Sequence, residues 1–520
     1  MFLAPSQVNK LNLLGFSSDS VAFFGSKPGD WKVDPVVDRV LKKMAAYDQF
    51  DHTAYGRIRE THISALNGIL KYDGDNSDPR LPPDILQETK EFLFKKFAPF
   101  FDTCSITADD DVEMPLDTHP GVHYRGLGYK SKGSVFRDPK GMASVMKFWE
   151  NPQFPTVWKE AVKGGELLKK SKIDKGDSRV FLIPGLDFHW LCVKLLQTQH
   201  SLFLELAQNL SWPIKIGFSL HSGGFVSLMK SLSIFKYIVE GDCTKWDSSL
   251  LPWIWFNFIL PLRIKLFKPS VEISREEFAR RLLSVYKDVC YTIVVLPNGQ
   301  VIVKLRGMPS GFFLTGDDNS LAHEFIRTSF YILKKKYSAL REDRWFLAAD
   351  DHLFGTNDPE IANFDARREH YAKFGVTLTQ EKDLVTESVE GHTFLGFTAH
   401  KNPQTESYVP VFNFDKAMCS ALRPGGSVSE GLRYVRLCAL RILCYFHPKY
   451  ELIKEVARQI YLSPHKLTQE DVLGLPEEQV SLLDSWPTDR AIENLWLGNE
   501  RVGLGGTKID PGFISWALSA

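Results

Sequence analysis

The chain has 520 residues, 44% of them hydrophobic and 24% charged, and its 63 basic and 63 acidic side chains leave a formal net charge of zero. That balance is ordinary for a globular protein with large cores and argues against a disordered or fibrous chain. It also argues against a polybasic nucleic-acid coat, so any polyanion site has to come from local clustering of charge.

Seven cysteines, none in a C-x-x-C pair, suggest reduced thiols in a cytosolic setting rather than a disulfide framework. The N-terminus lacks a basic-then-apolar signal pattern. The longest greasy run, Leu251 to Leu262, contains two prolines and an asparagine and falls short of the roughly 18 apolar residues a membrane span needs.

In chain order, three-four spacing of apolar residues predicts helices over Asp34 to Ala54 and Pro83 to Phe101. Asp109-Asp110-Asp111 lies in a polar run that reads as a solvated loop. Thr118 to Ser134 is Gly-rich and basic, and residues 121–180 carry thirteen Lys or Arg against six Asp or Glu. Asp187 to Asn209 reads as a long amphipathic helix. An apolar stretch over 233–240 leads into Gly241-Asp242. Ser274-x-x-Glu277 opens a further helix in the manner of a capping box. Tyr291 to Leu305, folded about Pro297-Asn298-Gly299, is a strong hairpin signal.

Phe312 to Lys335 fits a long helix, with Asp317 and Asp318 expected as acids on its surface. Trp345-Phe346-Leu347-Ala348-Ala349-Asp350-Asp351-His352-Leu353-Phe354 reads as a buried strand, a tight turn bearing two acids, and a returning strand. Asn363 to Phe374 is expected to be helical, followed by a strand pair around Thr377 and Phe394 to Phe397. From Val428 the pattern is mostly helical, notably Leu432 to Leu462, with short helices ending near Trp486 and Trp496. Pro403 to Pro410 is a plausible boundary for this last part. The Trp253–Phe256 cluster and Cys243 are expected to pack in the core.

Four signals stand in a fixed order. Asp242 and Asp247 end an apolar strand. Gly307 to Thr315 continues to Asn319-Ser320. The Asp350-Asp351 turn comes third. Thr377-Leu378-Thr379 then leads to Lys382 and to Thr393-Phe394-Leu395-Gly396-Phe397. Two adjacent carboxylates repel one another unless a cation sits on them, and hard oxygen ligands suit Mg2+ or Mn2+. In-line phosphoryl transfer needs carboxylates converging from separate strands to hold two such ions, and Asp242, Asp350 and Asp351 have the right character. Gly311 gives the Ser310-Gly311 turn freedom to approach a ligand. Thr315 and Asn319, four apart on a helix, share a face. With Asp247 they are suited to reading a ribose 2′-hydroxyl, the group that separates RNA from DNA. Lys382 can protonate or hold a departing pyrophosphate.

In this order the set resembles the palm motifs of viral RNA-dependent RNA polymerases of the positive-strand, picornavirus- and calicivirus-like supergroup. Asp242-x4-Asp247 and Ser310-Gly311-x3-Thr315-x3-Asn319-Ser320 match that pattern in full, and the resemblance spans about residues 179 to 401, and more loosely the rest. It implies an α+β fold in the form of a closed right hand. The implied division is an N-terminal region and fingers over 1–185, palm over 186–210, fingers over 211–236, palm over 237–258, a fingers-side insertion over 259–304, palm over 305–405 and a helical thumb over 406–520.

The resemblance makes Asp242, Asp350 and Asp351 ligands of two Mg2+ or Mn2+ ions, and Asp247, Ser310, Thr315 and Asn319 selectors of the ribonucleotide. Lys172 and Arg179 resemble the fingers element that contacts the incoming triphosphate, and Thr118 to Gly121 loosely resembles a template-guiding loop. RNA template and product, ribonucleoside triphosphates and viral replication-complex or capsid proteins are the implied partners, in the host cytoplasm within replication complexes or in virions. A reverse transcriptase and a catalytically silent RNA-binding relic are the alternatives. Ala348 and Ala349 replace the family's tyrosine and glycine before the paired acids. Alanine there costs little if the turn keeps φ negative and more if φ is positive.

Overall fold

The computed structural model describes residues 12–16, 33–58, 61–425, 430–461 and 486–498. Its centre is a four-stranded antiparallel sheet in the order Arg344–Ala348, Asp351–Thr356, Tyr237–Gly241, Leu384–Thr386. The middle hairpin pairs Trp345 with Phe354 and Ala348 with Asp351, and the next ladder pairs His352 with Gly241. Alternation along each strand sends side chains to opposite faces. Trp345, Leu347, Phe354 and Val239 pack with Phe330 and Tyr331 of the helix Thr315–Leu333. Phe346, Ala348, Leu353 and Ile238 pack with Phe225 and Leu228 of Gly224–Leu232 and with Tyr434, Cys438 and Ile453 of the C-terminal helices. Both faces are covered, which is why Trp345 to Ala348 is apolar without interruption. The cross-strand Trp345 and Phe354 rings stack at 3.7 Å.

A second sheet orders Asn12–Phe16, Gln300–Val303, Ile293–Val295, Val157–Val162 and Val180–Ile183. It contains the hairpin expected at Asn298-Gly299, where Gly299 takes φ +83°. The helix Leu186–Ala207 packs beside it, and its buried Leu191, Leu195 and Phe203 join the same core as Trp158 and Leu182. Trp255 of the Trp253–Phe256 cluster is fully buried, and so are all seven cysteines, which are free thiols. Among the described residues no helix is long and apolar enough to cross a membrane.

The N-terminal and C-terminal regions meet. Asp34 caps the helix Pro35–Lys43 and pairs with Arg433 at 2.8 Å. Arg57 donates to the carbonyl of Arg423, Arg423 donates to that of His52, and Lys449 donates to that of Gln49.

Several sequence expectations are corrected. The helix from Asp34 stops at Lys43, where Ala45 turns into left-handed backbone at φ +47°. Leu432 to Leu462 is two helices, Glu430–Leu443 and Tyr450–Tyr461, because Pro448 breaks the run. The strands near Thr377 and Phe394 do not pair with one another. Thr377–Leu378 pairs with Cys243–Thr244, and Thr393–Phe394 pairs with Phe397–Lys401. Residues 402–407 join Phe397–Lys401 to Tyr408–Phe412, which are themselves paired, so the boundary expected over 403–410 falls at the turn of a hairpin. A helix ends at Leu497 as expected, whereas the one expected to end near Trp486 lies outside the described residues.

Asp317 and Asp318 are not surface acids: they are 1% and 0% exposed. The Arg263 guanidinium, itself fully buried, donates to Asp318 at 2.9 Å, and the Tyr286 hydroxyl donates to the other oxygen at 2.7 Å. His200 lies 2.9 Å from Asp317. Both acids sit in the first helical turn, where the helix dipole also favours negative charge.

Candidate active site

The antiparallel register that pairs His352 with Gly241 sets Asp351 across from Asp242, one step beyond the last paired residues. Asp350 is the tip of the turn. Burial pushes its carboxyl up to about 6, and the charges of Asp242 and Asp247 push the same way. Burial likewise raises Asp351 to about 7, with Asp350, Glu240 and Asp242 adding to it. Three of the predicted acids therefore lie close enough to act on one another. Lys382, on the short turn Gln380–Lys382, is ion-paired with Asp242. The Leu395 backbone N–H donates to Asp351 at 2.8 Å, and Leu395 and Gly396 both take positive φ to present that loop.

The turn itself is strained. Ala349 has φ +58°, the left-handed region that the family's glycine enters freely. Two neighbours on one helix hold it there. Its N–H donates to Ser320 Oγ at 2.9 Å, and its carbonyl accepts from His323 Nδ1 at 2.8 Å.

Beside the acids is a second network. Ser310 Oγ donates to one oxygen of Asp247 at 2.8 Å, and Asn319 Nδ2 donates to the other at 2.7 Å. Asn319 Oδ1 is buried without a hydrogen-bond partner. The Met308 N–H donates to the Asp247 carbonyl, and Gly307, at φ +76°, allows the close passage of the two segments. Thr315 does not join this network: its hydroxyl donates to the carbonyl of Phe312 at 2.7 Å. Gly311 makes its close approach to the chain's own backbone, since a Cβ there would lie 1.9 Å from the Leu182 carbonyl oxygen.

The two cations expected to contact the triphosphate separate. Arg179 pairs with Glu166 at 2.9 Å, and its charge acts on Asp350. Lys172 lies in the exposed segment Lys170–Asp174, and its charge acts on Asp177. Sequence reasoning missed Lys163. Burial lowers this lysine and Arg179 lowers it further, while the charges of Glu166, Asp247 and Asp350 oppose the shift, which sets it within range of those acids. The basic excess over 121–180 was the available signal, but it does not single out one lysine. Tyr72 was also missed. Its hydroxyl donates to the Met308 carbonyl at 3.1 Å, and burial followed by the Asp247 charge raises it.

Comparison with known proteins places the chain in a family. The chain is 25% identical over 372 residues to the genome polyprotein of plum pox potyvirus (strain Rankovic), covering 65% of this chain and 11% of the polyprotein. It is 25% identical over 420 residues to the genome polyprotein of beet mosaic virus, covering 78% of this chain and 13% of that protein. It is 26% identical over 381 residues to the non-structural polyprotein 1AB of turkey astrovirus 1, covering 70% of this chain and 23% of that protein. The chain thus spans a minor part of the length of these relatives. The family model described as viral RNA-dependent RNA polymerase matches residues 33–417, and with most of its length so matched this chain belongs to that family.

Proposed function

We propose that the chain copies an RNA template into RNA from ribonucleoside triphosphates, replicating and transcribing a viral RNA genome. The observation that carries this reading is the meeting of Asp242, Asp350 and Asp351 beside the Asp247–Ser310–Asn319 network. Viral RNA-dependent RNA polymerases generally use divalent metal ions, and the residues fit such a group. Carboxylates raised by burial and by one another favour hard cations, Mg2+ or Mn2+. Asp242, Asp350 and Asp351 would hold two ions, which supply charge stabilisation to the attacking and leaving oxygens of phosphoryl transfer.

The remaining roles belong to the chain's own groups. Asp247 fixes Ser310 and Asn319, and the unpaired Asn319 Oδ1 is an acceptor that a ribose 2′-hydroxyl satisfies and a deoxyribose does not. Gly311 lets this segment lie against the strand that follows Arg179. Thr315 shapes the loop through Phe312. Arg179, Lys163 and Lys172 gather the triphosphate, with Lys172 the outermost. Lys382, anchored on Asp242, donates the proton that pyrophosphate takes as it leaves.

This reading includes the closed right hand with the boundaries given above, supported by the pairing of residues 34–57 with residues 423–449. RNA, ribonucleoside triphosphates and viral replication-complex or capsid proteins are its partners, in the host cytoplasm or in virions. The likeness to potyvirus and astrovirus polyproteins supports the viral assignment.

The test is nucleotide incorporation on an RNA template with added Mg2+ or Mn2+. Asp350→Asn is expected to lose at least about 100-fold, and equal activity in the variant would sink the assignment. Asn319→Ala is expected to lower the preference for ribo- over deoxyribonucleotides by about tenfold, the worth of one hydrogen bond in a buried site. An unchanged ratio would remove Asn319 from sugar reading.

A further inference from the structure

On the buried side of the Asp350–Asp351 turn, three further side chains converge. Cys243 follows Asp242, His352 follows Asp351, and His323 lies on the helix Thr315–Leu333. They are 2%, 0% and 0% exposed, and one potential ligand atom from each lies within 4.8 Å of the others.

The two imidazoles are oriented alike. His323 Nδ1 meets the Ala349 carbonyl at 2.8 Å, and His352 Nδ1 meets the Asp350 carbonyl at 3.3 Å. A carbonyl only accepts, so each Nδ1 carries the proton and each Nε2 keeps its lone pair. His352 Nε2 is buried without a hydrogen-bond partner. It lies over Gly241, where a Cβ would come within 2.3 Å of it. His323 Nε2 accepts from the Tyr371 hydroxyl at 2.9 Å, which adds an oxygen at the edge of the cluster. Nδ1–H on a backbone carbonyl is how ligating histidines are oriented by their surroundings; Nε2 of His352 is then open to an ion, and Nε2 of His323 would exchange the Tyr371 hydroxyl for it.

We propose that Cys243, His323 and His352 form a binding site for a borderline-soft divalent cation of the zinc class, separate from the carboxylate cluster, with the Tyr371 oxygen beside the fourth position. One sulfur and two imidazole nitrogens match Zn2+ and mismatch Mg2+ or Mn2+. Tetrahedral ligation with bonds of about 2.0–2.3 Å brings donor atoms to about 3.3–3.8 Å from one another, so the widest pair closes by about 1 Å. On binding, the Cys243 thiol releases its proton to solvent, and the ion with its thiolate adds about one positive charge behind the acidic turn. Arg367, the cation that acts on both Cys243 and His352, is already held by Asp383 at 2.7 and 2.9 Å. The ion would tie together the segments that carry Asp242, Asp350 and Asn319. The proposal does not depend on the polymerase reading.

The test uses the full chain, purified without chelators, loaded with ZnCl2 and dialysed, with metal content read by mass spectrometry. A parallel sample loaded with CoCl2 is read for thiolate-to-cobalt charge-transfer absorption. About one zinc per chain and a thiolate–cobalt band are expected in the wild type, both lost in Cys243→Ser and in His352→Gln, with MgCl2 in excess failing to compete. A folded wild type that keeps no zinc and shows no such band overturns the proposal. Zinc held equally by both variants overturns it too, because the metal then lies elsewhere. If the variants do not fold, anomalous scattering at the zinc edge from wild-type crystals decides: a peak among the three residues supports the site, and its absence there rejects it.

Discussion

Removing the charge of Asp350 should make this protein more stable. Asp350 is raised from 3.8 to about 6, first by burial and then by Asp242 and Asp247. A carboxyl that binds its proton more tightly when folded contributes stability that is complete below about 3.8. That contribution is lost as the pH climbs through about 6. At about 1.4 kcal/mol per pH unit the full loss is about 3 kcal/mol, and sharing of charge with Asp351 together with partial solvent screening brings it to about 1–3 kcal/mol. Asp350→Asn keeps the shape and drops the charge. In chelator at about pH 8 the variant should therefore be about 1–3 kcal/mol more stable, and its advantage should shrink by about half near pH 5. Urea unfolding followed by tryptophan fluorescence measures both. Mg2+ should narrow the gap at the higher pH, because it stabilises the wild type more. A variant no more stable than wild type at about pH 8, or one with the same gain at both pH values, would refute the view that these acids are held together against their own repulsion.

Three further outcomes follow from particular contacts. Ala349→Gly relieves about 1–2 kcal/mol of left-handed strain and returns about 0.4–1 kcal/mol through the freer unfolded chain. The variant should unfold at slightly higher urea and retain incorporation; a loss above about 1 kcal/mol would show that the turn is not strained. Arg263→Met leaves Asp318 buried and unpaired and should cost about 3–5 kcal/mol, visible as a lowered melting temperature. A cost below about 1 kcal/mol would mean that Tyr286 alone satisfies the acid. Lys382→Gln should slow incorporation about 100-fold, and an unchanged rate would remove Lys382 from proton transfer.

The sequence by itself determined the local frame. The apolar run around Asp350-Asp351 is a hairpin because uninterrupted apolar strands of that length have to be covered on both faces, and the helices to cover them are written at Phe312–Lys335 and after Val428. The Asn298-Gly299 turn needs φ above zero, and the long helix expected over Phe312 to Lys335 is found from Thr315 to Leu333. The order of the motifs was enough to name the resemblance, and the family match bears it out.

Only the tertiary structure decided which groups meet. Periodicity describes one element at a time, whereas a charge is judged by what lies across from it. Asp317 and Asp318 looked like surface acids until Arg263 and His200, from two other helices, closed over them. Thr377 pairs with Thr244 rather than with Phe394, a partner more than a hundred residues away that no local pattern announces. Lys163 stood out from a dozen other basic residues only by the acids it faces. The strain in Ala349 is legible only as a dihedral angle, held by Ser320 and His323, which are far from it in sequence and adjacent to it in space.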